Sequence, residues 1–110
     1  MRYSKFHATK VKDGNLTFDS KREYNRYLEL KLLERAGEIQ DLTLQPEFEL
    51  QPAFDKDGHH YRKITYRADF RYCDHGTIVI EDVKGYKTDV YKIKKKLFEY
   101  KYPQYKITEI

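Results

Sequence analysis

A run of β-branched residues that ends in charge constrains this chain more than any other feature. Thr77, Ile78, Val79 and Ile80 lead into Glu81, Asp82, Val83 and Lys84, with Gly85 next. β-branched side chains favour strands, and a run this apolar at its start is the pattern of a central strand covered on both faces. Residues 89–102 then read as a helix with Val90, Ile93, Leu97 and Tyr100 on its apolar stripe, stopped by Pro103. Residues 105–110 follow as a short last strand. A strand, a helix and a further strand in succession imply a parallel crossover, so the expected fold is an α/β sandwich with a mixed central sheet flanked by helices. At 110 residues there is room for one such domain.

The chain before this unit supplies the rest of the sheet. Residues 1–17 hold Arg2, Lys5, Lys10 and Lys12 and a turn signal at Asp13, Gly14 and Asn15, which reads as a basic N-terminal arm ahead of a single domain at 18–110. From Ser20 the spacing becomes helical. Ser20 and Glu23 form a capping box, and Tyr24, Tyr27, Leu28 and Leu32, widened by Leu30 and Leu33, predict a helix over 20–36 that stops at Gly37. Residues 42–44 and 47–54 are short extended pieces, held to strand edges or starts by Pro46 and Pro52. A loop over 55–60, with its Lys-Asp-Gly turn, joins them to an alternating strand over 61–72. In that strand Ile64, Tyr66, Ala68, Phe70 and Tyr72 point one way, and Thr65, Arg67, Asp69 and Arg71 the other.

Charge narrows the partners. Charged residues make up 36% of the chain and apolar ones 39%, so the core is small and the surface ionic. With 11 Tyr and 6 Phe the chain is too aromatic for intrinsic disorder. The 22 Lys and Arg exceed the 18 Asp and Glu by four, which favours a polyanionic partner. A lone cysteine, Cys73, closes no internal disulfide and fits a reducing compartment, and no apolar run is long enough for a membrane helix. A soluble cytoplasmic protein is expected.

Asp82 and Lys84 carry the chemistry. Side chains alternate along a strand, so both emerge on one face where the strand leaves the sheet. Two charges there cost several kcal/mol, unless a metal ion and an anionic substrate compensate them. If the hairpin closes at about residues 74–76, Asp69 on the preceding strand lies opposite Asp82. Two carboxylates facing one point suit Mg²⁺, or Mn²⁺ in its place, which takes oxygen ligands and completes its shell with water and phosphate oxygens. Lys84 beside them would hold an attacking water or stabilise charge on a phosphate. The reaction so assembled is metal-assisted phosphodiester hydrolysis.

An Asp on one strand followed by Asp-x-Lys on the next resembles the PD-(D/E)XK nuclease superfamily, with its restriction-endonuclease-like fold. Ser20 to Glu23 is similar to the helical S-x-x-E of several such nucleases. Tyr66 to Phe70 resembles their Y-x-P-D-F strand, with Ala68 in place of the nominal proline, and Asp82 to Gly85 resembles their D-V-K-G. Residues 18–102 look like a small phage-borne group described as a domain of unknown function, with Holliday junction resolvases and transposon end-cleaving nucleases among its relatives. The resemblance implies an endonuclease acting on DNA in a bacterial or phage-infected cell, with Asp69 and Asp82 as metal ligands and Lys84 as the catalytic lysine. It further implies Glu23 as a helix-borne carboxylate at the metal and the Val83 carbonyl as another ligand. Glu81 has the wrong parity and becomes a candidate only if a bulge shifts the strand.

Plainer readings stand beside these. Glu23 is fully accounted for by a capping box, and Asp82 with Lys84 by an exposed ion pair at a strand end. His59, His60 and His75 belong to turns, with no fourth ligand for zinc. Lys87, Lys92, Lys94, Lys95 and Lys96 form either a solvated helix face or a track for a nucleic-acid backbone next to the metal site. Most tyrosines fill the core and its rim, and an exposed few would stack on unpaired bases. Besides a nuclease, which would pair as a homodimer to cut two strands, the sequence is compatible with a non-catalytic nucleic-acid-binding module or an assembly protein of a phage particle.

Overall fold

The computed structural model describes residues 9–84 and 86–110; Arg2, Lys5 and Gly85 of the readings above lie outside the described residues. In chain order the elements are β1 (Val11–Asp13), β2 (Leu16–Phe18), α1 (Lys21–Arg35), β3 (Gln40–Leu44), β4 (Glu47–Gln51), β5 (Phe54–Lys56) and β6 (His59–Tyr61). They continue with β7 (Ile64–Arg67), β8 (Phe70–Asp74), β9 (Thr77–Asp82), α2 (Asp89–Lys101) and β10 (Ile107–Glu109). The protein is mixed α/β. Its largest sheet has the order β10-β9-β8-β3, with β9 and β10 parallel through α2 and the other pairs antiparallel. The crossover anticipated from the β-branched run is therefore present, and β9 is the inner strand it was read to be.

The β8–β9 hairpin closes on His75 and Gly76, both at positive φ (52° and 87°), the mirror-image turn whose twist matches that of the strands. The register pairs Asp74 with Thr77 and Phe70 with Glu81, which carries Asp69 to the level of Asp82. The alternating stretch at 61–72 is not one strand. It is divided among β6, β7 and β8, with a break at Ala68 and Asp69. There the Ala68 N–H donates to the Pro46 carbonyl at 3.0 Å, the Asp69 N–H donates to the Glu81 carbonyl at 3.1 Å, and the Asp69 carbonyl accepts from Gln45 N–H at 2.9 Å. The break has a packing consequence. Tyr66 and Ala68 join a core of Phe48, Ile80, Tyr91, Phe98 and Ile107 under α2, whereas Phe70 and Tyr72 join Leu30 and Ile39 under α1. Four residues of one parity thus serve two layers, because the chain turns over at Asp69. Full burial of Ile80 and Phe98 stabilises the α2 layer by up to about 2–3 kcal/mol each.

Both helices are rotated from their apparent apolar stripes. In α1 the buried residues are Glu23 and Leu30, with Tyr27 packed beside them, while Leu28, Leu32 and Leu33 are exposed. The reason is electrostatic: the inner face must present Arg26 to Glu81, a carboxylate that β9 buries on that side. In α2 the buried residues are Tyr91 and Phe98, and Val90, Ile93, Leu97 and Tyr100 are all exposed. Aromatic rings from that face reach the aromatic core of Phe48 and Tyr66, which the shorter aliphatic side chains do not fill. Two further departures are local. The stretch read as a basic arm contains the β1–β2 hairpin, closed through Gly14 at φ 60° and anchored by buried Phe18. The supposed loop at 55–60 is mostly the β5–β6 hairpin, whose turn residues Asp57 and Gly58 again both have positive φ.

Candidate active site

β9 delivers two adjacent carboxylates to opposite faces of the sheet. Glu81 and Asp82 are each only 1% exposed. Glu81 faces α1, where Arg26 donates to both its oxygens at 2.8 and 2.6 Å and the Tyr72 hydroxyl also donates to it. The expected parity holds, and Glu81 is a structural ion-pair partner. Burial and the Glu81 carboxylate together push the Tyr72 hydroxyl well above its usual range.

Asp82 faces α2, and its surroundings are incomplete. Its Oδ2 accepts from the Tyr66 hydroxyl. Lys84 Nζ stands 3.0 Å from Oδ1, the distance of an ion pair, yet no donor meets Oδ1 with hydrogen-bond geometry. Among the described residues it is the one buried side-chain oxygen or nitrogen left so. Lys84 is held above it, its ammonium 4.5 Å from the centre of the Tyr91 ring. The backbone there is fixed from two sides. Arg22 of α1 donates to the Lys84 carbonyl at 3.3 Å and to the Ile110 carbonyl at 3.0 Å, while Ile110 N–H donates to the Asp82 carbonyl at 2.9 Å.

Asp69 completes the pair. Its Oδ2 accepts the Val83 N–H at 2.7 Å, so its carboxyl lies against the backbone between Asp82 and Lys84. Burial, and next the charge of Asp82, push the Asp69 carboxyl up to about 8. Glu23 is both a cap and a neighbour of this pair. Its N–H donates to Ser20 Oγ at 3.1 Å, and its Oε1 accepts the Asp19 N–H at 3.2 Å. Burial raises its pKa, with the Asp19 and Asp82 charges adding to the effect. Glu23, Asp69, Val83, Lys84, Thr88 and Tyr91 line one cleft of about 380 Å³, with Asp82 beneath its floor. A smaller cleft of about 290 Å³ opens on the β2 side of Glu23 and Asp69.

The donor set fits a hard cation in a restricted sense. Among the described residues no three His, Cys, Asp or Glu side chains are gathered to hold a metal ion. Two carboxylates do meet, however, one with a buried oxygen lacking a hydrogen bond and the other holding its proton more tightly because of its burial and the neighbouring Asp82 charge. Mg²⁺ needs only one or two protein carboxylates and takes the remainder of its shell from water and substrate. Of the predicted residues, Glu23, Asp69, Val83 and Lys84 therefore line one cleft and Asp82 adjoins it through Lys84, but the three carboxylates do not close on a common point. Of the predicted lysines, Lys87 and Lys95 are tied to Glu109 at 3.0 and 3.5 Å, while Lys92, Lys94 and Lys96 make no ion pair among the described residues. Lys94 lines a groove continuous with Lys84, Thr88 and Tyr91.

Sequence reasoning missed Tyr66, Tyr91 and Arg22. Tyr66 had a signal, since a tyrosine at a core position requires a partner for its hydroxyl. Tyr91 and Arg22 had none, because their roles depend on helix rotation.

This is a mixed α/β protein with a carboxylate and lysine cleft at the carboxyl end of its central strand. The chain belongs to a family described as proteins of unknown function (DUF1064), whose model matches residues 3–110. No curated protein and no solved structure matches it. No helix among the described residues is long and apolar enough to cross a membrane.

Proposed function

We propose that the chain is a Mg²⁺-dependent endonuclease of PD-(D/E)XK type that hydrolyses DNA phosphodiester bonds, selective for branched or recombination intermediates. The observation that carries this reading is the convergence of Asp69, Lys84, Glu23 and Val83 on one cleft above Asp82, whose Oδ1 is buried without a hydrogen bond. Asp69, Asp82 and the Val83 carbonyl would hold the ion, with Glu23 reaching it as the helix N-terminus allows. When bound, Mg²⁺ (or Mn²⁺) would polarise the scissile phosphate and make a water molecule more acidic. Lys84, fixed by Tyr91 and Arg22, orients that water or neutralises charge gathering on the phosphate. Tyr66 keeps the Asp82 carboxylate in place. Lys92, Lys94 and Lys96 offer charge to the DNA backbone without reading bases, joined by Lys87 and Lys95 when Glu109 releases them. Cutting two strands symmetrically takes a second copy, since each chain offers one cleft.

The test is an incubation of wild type and Asp82→Ala with labelled four-way junction, flap, duplex and single-stranded DNA, in Mg²⁺, Mn²⁺ or EDTA. Metal-dependent cleavage of a branched substrate by wild type alone is expected. Binding without cleavage on every substrate overturns the reading in favour of a nucleic-acid-binding module.

A further inference from the structure

The β5–β6 hairpin stands apart from both cores. Every residue from 51 to 64 is exposed, which is unusual for a segment that is two-thirds strand or turn. The hairpin prolongs the β4–β7 ribbon, whose ladder ends at Gln51 opposite Ile64.

Its two faces differ. Phe54 pairs with Tyr61 and Lys56 with His59, and directly opposed residues share a face, so these four side chains stand together. Phe54 and Tyr61 stack with ring centres 4.7 Å apart and planes 13° from parallel, yet remain 40% and 47% exposed. The His59 ring lies 6.2 Å from that of Tyr61. The remaining pair of the ladder, Asp55 with His60, occupies the opposite face, where His60 Nδ1 meets Asp55 Oδ1 at 2.8 Å. The carboxylate of the ladder is thus turned away and held against His60, and of the ladder residues the aromatic face carries only Lys56 and His59 beside the two rings, with Asp57 in the turn beyond them. Arg62 and Lys63 follow at once, with no ion pair among the described residues.

We infer that this face is a second nucleic-acid contact, one that takes unpaired bases. A pair of exposed rings offers stacking surface that any base fits, and the cations beside it suit the flanking phosphates. A folded protein partner would find a small patch with little apolar area beyond two rings. Eight residues separate Tyr61 from Asp69, so the contact lies no more than about 26 Å from the candidate metal site. That span equals about eight nucleotides of duplex. The inference rests on the nucleic-acid reading above and gives it a substrate: duplex at the cleft with single-stranded character within about eight nucleotides, as at a junction or flap.

The experiment measures fluorescence anisotropy in EDTA for a blunt duplex and for the same duplex carrying a single-stranded arm. It compares wild type with Phe54→Ser/Tyr61→Ser and with Lys56→Glu, whose folding is checked by circular dichroism. Wild type is expected to prefer the armed substrate. The double variant should bind it about tenfold more weakly with little change on blunt duplex. Lys56→Glu, which leaves both rings, should weaken it in the same direction. Affinities within twofold of wild type overturn the inference, as does loss of self-association in sedimentation with DNA binding intact, which would make the hairpin a contact between copies. Cleavage is read separately in Mg²⁺. Loss of armed-substrate binding without cleavage by wild type upholds this contact while the nuclease reading falls; cleavage with unaltered binding does the reverse.

Discussion

Glu81 and Asp82 are neighbours on one strand, equally buried, and opposite in what surrounds them. Glu81 is saturated by a two-pronged Arg26 and by Tyr72. Asp82 has one hydroxyl, a lysine placed for charge but not for a hydrogen bond, and a second carboxyl close by. A buried carboxylate with every lone pair answered serves the fold, and one left short beneath a cleft is the one to which the proposed function assigns a ligand. Burial alone does not separate them; the completeness of their partners does.

The contrast breaks most visibly in activity. On the proposed nuclease reading, Lys84→Met should lower cleavage by about 100- to 1,000-fold in a single-turnover assay while the circular dichroism spectrum stays that of wild type. Cleavage within a fewfold of wild type would remove Lys84 from the chemistry. On the other face the loss should appear in stability. Arg26→Met strands a fully buried Glu81 charge and should cost about 3–5 kcal/mol in urea unfolding. Asp82→Asn, which can still accept from Tyr66, should change stability by no more than about 1 kcal/mol. Equal losses in the two variants would erase the distinction between the faces.

Smaller effects sharpen the comparison. If Lys92 and Lys96 lie on phosphates, replacing both with Gln should lower the slope of log binding constant against log salt by about 1.8. Replacing Lys87, already paired with Glu109, should lower it less. Glu109 supports the open face indirectly, through the Tyr91 ring that covers Lys84. The Tyr91 hydroxyl, and then Lys87, hold the Glu109 carboxyl down to about 2 from 4.5. Since the folded value is the lower one, its stabilisation is present above pH 4.5 and lost as pH falls toward 2. Glu109→Gln should therefore be slightly less stable than wild type at neutral pH, by at most about 1 kcal/mol after solvent screening, and the gap should close across that acid window in thermal melts.

The central crossover and the pairing of Asp69 with Asp82 were legible because they depend on local signals: a β-branched run, a two-residue turn at His75 and Gly76, and the parity of a strand. The rotation of the helices was not. Leu28 and Leu32 in α1, and Val90, Ile93, Leu97 and Tyr100 in α2, form the more regular apolar stripes, yet they face outward. What turns α1 is the need of Glu81 for Arg26, a contact between residues 55 apart, and what turns α2 is the aromatic reach of Tyr91 and Phe98. The break at Asp69 was hidden for a related reason. Alternation continues through it in sequence while the layer being filled changes in space. In the candidate site the carboxylates and the lysine could be named from spacing, but Tyr66, Tyr91 and Arg22, which fix them, depend on distant packing.

The most direct measurement is paramagnetic broadening of backbone amide signals by substoichiometric Mn²⁺, recorded for wild type and Asp82→Asn. Broadening centred on Asp69, Val83 and Lys84, and absent in the variant, is the predicted result. No broadening there, or the same broadening in Asp82→Asn, would contradict the assignment of Asp82 and Asp69 to a metal ion.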